Sequence, residues 1–183
     1  VLSGQQTDWD VQEKVALIPD EVWEAGPEAV AAEIARIEEQ LRLRREVAGL
    51  KAQLANARAG VAALSKRSHN NPPELVEPMT DVERQANSVA QALNEAEREL
   101  AQYTPRPAVL RRVGQVLMEV ATRSLSYCAS LGDTALRKAA EEVGSAGGKA
   151  LVGAALFAWM SHLEAVQTLA RALEAFAKLI SGR

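Results

Sequence analysis

A single cysteine, Cys128, two histidines and an aromatic content of 4% are all that this 183-residue chain offers to redox, metal and stacking chemistry. A lone cysteine cannot close an internal disulfide, so a reducing, cytoplasmic setting is the expectation. His69 and His162 stand far apart with no cysteine or second histidine at ligand spacing, so no zinc site is expected. The HExxH, GxSxG and calcium-loop patterns are all missing, which leaves no candidate catalytic residue, no cofactor and no small-molecule substrate. The opening "VLSGQQTDWD" carries no basic-then-apolar leader and starts at Val1, which reads as part of a longer protein without a secretion signal.

Long apolar runs are missing too. The longest uncharged stretch, Ala150 to Leu163, is closed by Lys149 and Glu164 after 14 residues, short of the roughly 20 that a spanning helix needs. "GSAGGKA" at 144–150 fails as a phosphate loop, because three residues separate Gly144 from Gly148 and Ala150 stands where a hydroxyl belongs.

The rest of the composition favours helix. Apolar residues make up 48% of the chain and charged residues 25%, and alanine, leucine, glutamate and arginine lose little side-chain freedom in a helix. Prolines divide the chain. Pro19 and Pro27 suit helix starts, where a missing N–H is harmless, and no proline follows until Pro72. The spacing therefore predicts two short helices and then one helix over 27–66, roughly 60 Å long at 1.5 Å per residue. Its apolar stripe has a fault. Val30, Ile34, Ile37 and Leu41 form one series and Leu43, Val47, Leu50, Leu54, Ala57, Val61 and Leu64 another, offset by about 100° where Leu43 arrives one residue early. The two halves are expected to meet different partners.

"RSHNNPPELVEPMT" at 67–80 reads as a proline-rich linker. Thr80 with Glu83 has the capping-box spacing, which predicts a helix over 81–103. Val82, Ala86, Val89, Leu93, Ala96, Leu100 and Tyr103 repeat there at steps of four and three. Pro105 and Pro107 end it. A third segment carries Leu110, Val113, Leu117, Val120, Tyr127 and Leu131, widened by Val109, Val116 and Leu125, and the last carries Leu156, Trp159, Leu163, Val166, Ala170, Leu173, Ala177 and Ile180.

The word "HNNPPE", residues 69–74, resembles a segment of uncharacterised alphaproteobacterial proteins in which it precedes an alanine-rich helical tail. The resemblance covers six residues and the general layout. It implies a bacterial setting and no activity.

The expectation is an all-α protein in three parts: 1–66, a linker at 67–80, and 81–183. The long helix and the next form an elongated antiparallel hairpin with coiled-coil-like packing, and two more helices close a bundle. The seam pairs Val82, Val89, Leu93 and Leu100 with Leu50, Leu54, Val61 and Leu64. Ala150, Ala154 and Ala158 present a smooth side for a partner, and His69, Asn70, Asn71, Pro72 and Pro73 are candidates for docking in a partner's groove. The function expected is non-enzymatic: an interaction or oligomerisation module, an adaptor or scaffold, with a protein partner or a second copy. Two alternatives stand beside it. One is a membrane-active, membrane-associated protein that inserts 150–163. The other is nucleic-acid binding along the basic 42–67 face, where seven bases meet only Glu46 after ten acids in the first 40 residues.

Overall fold

The computed structural model describes residues 9–65, 76–130 and 149–182, and gives side-chain surroundings at 9–59, 84–126 and 161–182. The described residues form six helices and no strand: α1 (Trp9–Val15), α2 (Asp20–Glu24), α3 (Pro27–Ser65), α4 (Val76–Ala101), α5 (Pro107–Ser130) and α6 (Lys149–Ser181). The protein is all-α.

The four long helices make a ring in which α3 packs on α4, α4 on α5, α5 on α6, and α6 back on α3, with α4 and α6 on the diagonal. Side-chain contacts set the direction of each neighbour. Lys51 pairs with Glu97 and Arg58 with Asn87 between α3 and α4, and Arg112 pairs with Glu95 and Ser124 with Gln85 between α4 and α5. Numbers rise on one helix as they fall on the next, so consecutive helices run antiparallel. The α5–α6 pair follows suit, with Arg111 Nη2 donating to Ser181 Oγ at 3.0 Å and Gly114 against Ala170.

The core of the ring is built from the expected repeats. Leu43, Val47, Leu50 and Leu54 of α3 meet Ala86, Val89, Leu93, Ala96 and Leu100 of α4 in one apolar cluster, completed by Leu110, Val113 and Leu117 of α5 and by Leu163, Val166, Leu173, Phe176 and Ala177 of α6. Segments before and after the linker thus share a single core. Burying a leucine or phenylalanine in such a place contributes about 1.5–3 kcal/mol.

The stripe fault in α3 has a structural meaning. Ile37 and Leu41, with Ile34 beside them, belong to a second, smaller core with Ile18, Val11, Val15 and Val22. The short helices α1 and α2 lie on α3 there and form a head on the bundle. One helix serves both cores because its apolar face turns by about 100° between Leu41 and Leu43. Gly26 joins head and α3: its φ of +102° is a backbone region L side chains rarely adopt, and its carbonyl accepts from Val30 N at 3.2 Å.

Two local expectations are corrected. α4 starts at Val76, not after Thr80, so the Thr80–Glu83 pattern lies within a helix already under way. Pro78 is tolerated in that first turn, where its nitrogen has no intrahelical acceptor to satisfy. In α5, Ala121 and Ser124 continue the buried seam after Leu117, whereas Leu125 is 42% exposed and Val120 only borders the core.

Candidate functional site: a buried polar clasp and an exposed head

α3's inner seam does not stop at Leu43. Counting back in steps of three and four gives Gln40, Arg36 and Glu33, and Gln40 and Arg36 are buried. They face the tight turn from α4 to α5. A helix end leaves its last carbonyls without intrahelical donors, and here Gln40 supplies them: Nε2 donates to Leu100 O at 2.7 Å and to Gln102 O at 2.6 Å. Gln40 Oε1 accepts from Arg36 Nη1 at 2.7 Å, and Arg36 Nε and Nη2 donate to Glu33 Oε1 at 2.9 and 2.7 Å. Tyr103 lies 5.4 Å beneath the Arg36 guanidinium, ring centroid to Cζ, and its hydroxyl donates to Glu33 Oε1 at 3.4 Å. Burial, then the Glu33 charge, pushes the Tyr103 phenol above its ordinary pKa.

The next helix is capped by the same device with the charges reversed. Glu99, 2% exposed, accepts from the backbone N–H of Arg106 at 2.6 Å, just before α5 begins at Pro107, and from Arg106 Nη2 at 2.8 Å. A carboxylate at a helix start meets unpaired N–H groups and the positive end of the dipole. The Arg106 hydrogen bonds hold the Glu99 carboxyl below the usual glutamate pKa, against the opposing effect of burial. Among the described residues, no buried side-chain nitrogen or oxygen is left without a partner. The clasp therefore fixes the chain reversal.

An open groove of about 720 Å³ runs between α3 and α6, floored by Leu50 and Leu169. It exists because Gly49, Ala165 and Thr168 are too small to fill the seam. Arg42, Glu46 and Glu164 stand at its margin, and Arg42 is engaged by Glu39 and Glu46. Among the described residues no group of three histidine, cysteine, aspartate or glutamate side chains could hold a metal ion, and no helix is long and apolar enough to cross a membrane.

The three most exposed large apolar side chains among the described residues lie on the head. Trp9 is 76% exposed, Leu17 62% and Trp23 51%, so two of the chain's three tryptophans face water. Exposed acids surround them: Asp10 and Glu13 on α1, Asp20, Glu21 and Glu24 on α2, and Glu28 at the start of α3. Lys14 is the one base of this head among the described residues.

Of the residues singled out by sequence, Val89, Leu93, Leu100, Leu50 and Leu54 come together in the main core of the same chain. They are packing positions already filled. The side chains of Val82, Val61, Leu64, Ala150, Ala154 and Ala158 lie outside the described surroundings, and His69, Asn70, Asn71, Pro72 and Pro73 outside the described residues. His162 is half-buried. The basic face is threaded with partners, since Arg42 bridges two glutamates and Lys51 pairs with Glu97. Sequence reasoning missed Gln40, Arg36 and Glu99. Comparison with protein-family models, with curated proteins and with solved structures finds no match to this chain.

Proposed function

We propose that the protein is a non-enzymatic helical interaction module, an adaptor or scaffold, whose docking element is the α1–α2 head. The observation that carries this reading is the exposure of Trp9 and Trp23 at 76% and 51% on a head with its own small core. A tryptophan buries roughly 150–250 Å² when covered and is enriched at binding hot spots. Leu17 adds a third large apolar group on the same short segment. The four-helix ring serves as the rigid mount, and a cytoplasmic setting suits the lone Cys128.

Oxidative footprinting tests the reading. Trp9 and Trp23 are labelled in the dilute purified chain and in native extract of cells that produce it. Protection of both in the extract supports a docked head. Equal labelling in the two settings overturns it.

A further inference from the structure

The apolar face that the head covers on α3 continues beyond the head. From Ile34, Ile37 and Leu41 the same helical sector runs on, in steps of three and four, through Arg44, Ala48, Ala52, Ala55 and Ala59. The first part is buried under α1 and α2. All five residues of the second part are exposed. α3 therefore has an outer face that is half covered by its own chain and half open.

Resting on the reading of the head as a docking element, we infer that the open half receives the head of a second copy of this chain. Charge is the first reason. Asp10, Glu13, Asp20, Glu21 and Glu24 are exposed and form no ion pair among the described residues. On the open face, Arg44 has no carboxylate partner among the described residues, and Arg58 is held only by the neutral amide of Asn87. Lys14 lies at this point, its ammonium held below the ordinary lysine pKa first by burial and then by the nearby Arg36 and Arg44, against the opposing charge of Glu13. Each copy thus presents an acidic head and, beside the open alanines, two cations, Arg44 and Arg58, that no carboxylate of the described residues neutralises.

Shape is the second reason. The head offers two indoles and a leucine, and the open face offers alanines at four successive contact positions with arginines at its edges. Large groups on one surface meet small ones on the other, and arginine is the preferred cation over a tryptophan ring. The third reason is symmetry. Acids precede bases along the same helix, so two copies set antiparallel match head to face twice, and such an isologous pair closes at two. Of the roughly 150–250 Å² that a covered indole buries, 76% is still open on Trp9 and 51% on Trp23, so the two contacts bury about 400–600 Å² of tryptophan and about as much of the faces beneath, the size of a small, reversible interface.

Sedimentation of the full chain over a concentration series at low and high salt is the test, with circular dichroism confirming that each variant is helical. A dimer that weakens with salt is expected. Asp20→Lys with Glu21→Lys and Glu24→Lys should weaken it by about tenfold or more, and so should Arg44→Glu with Arg58→Glu. Mixing these two variants should restore a dimer, because the reversed head of one meets the reversed face of the other. A wild type that is monomeric throughout, a dimer indifferent to either reversal, or a mixture that stays monomeric overturns the inference. A monomeric wild type with its tryptophans protected in extract leaves the docking reading standing with a different protein as partner. A dimer that survives Trp9→Ser with Trp23→Ser removes the head from the interface, and the inference with it.

Discussion

The side-chain amide of Gln40, in the first half of α3, donates to the main-chain carbonyl of Leu100 at 2.7 Å and so ties the start of the hairpin to its finish. A second bond to Gln102 O at 2.6 Å uses the other amide proton. No apolar residue could replace this side chain without leaving two carbonyls and an arginine donor unpaired in a buried place.

Gln40→Ala is therefore expected to destabilise the fold by about 2–4 kcal/mol, the cost of several buried groups losing partners. Gln40→Glu should be at least as damaging at neutral pH, because a carboxylate faces the two carbonyl oxygens without a proton to give. Urea unfolding followed by circular dichroism measures both. A loss below about 0.5 kcal/mol for Gln40→Ala would show that water replaces the amide at no cost.

Glu99 supplies a pH dependence whose sign is set by its lowered carboxyl pKa. A carboxylate held below its unfolded value stabilises the fold above that value, about 4.3, and the contribution is lost as pH falls through the folded value. Glu99→Gln should lower the melting temperature at pH 7, and the gap to wild type should narrow as the pH drops below 4. A gap that stays constant from pH 7 to pH 3 would contradict the assignment.

Gly114 sits where α5 crosses α6. A Cβ placed on it would lie 3.0 Å from Ala170 O and 2.9 Å from Glu174 Cγ. The glutamate stem can swing aside but the carbonyl cannot, so Gly114→Ala should cost about 1–3 kcal/mol by overpacking, despite alanine's better helix propensity. Calorimetry gives the answer directly. A stabilised variant would mean that the two helices separate freely at that point.

Gly26 should behave differently, because nothing lies within 4 Å of a Cβ added there. The strain is in the backbone alone, at φ +102°, and Gly26→Ala should cost about 1–2 kcal/mol. The loss should be confined to the head: amide exchange in 9–25 should accelerate while the four-helix ring keeps its unfolding midpoint.

Much of this architecture is legible in the chain because apolar periodicity reports burial. Val89, Leu93, Ala96 and Leu100 repeat without error and are all buried. The displaced stripes of α3 correspond to two cores. The clasp was hidden for a definable reason. Glu33, Arg36 and Gln40 occupy the same repeat as Leu43 and Val47, and Glu99 follows Ala92 by seven, yet a count of apolar residues ends where polar ones begin. Extending a seam through polar residues until it meets a predicted turn would have found them. Leu125 misled in the opposite way, since a large apolar residue one step beyond the seam position Ser124 is carried about 100° round the helix. Gly114 gave no signal at all, because the close approach it permits depends on Ala170, far along the chain.

The ring closes by laying the last helix against the first, and that order has a temporal consequence. During synthesis the leucines of α3 that await α6 emerge long before their cover is made, and the α3–α4 hairpin can zip up from local contacts while this flank stays bare. Completion waits for the C-terminal stretch to leave the ribosome. A nascent chain stalled before Leu163 would display a greasy strip that chaperones recognise, and release of the final turns of α6 would extinguish it.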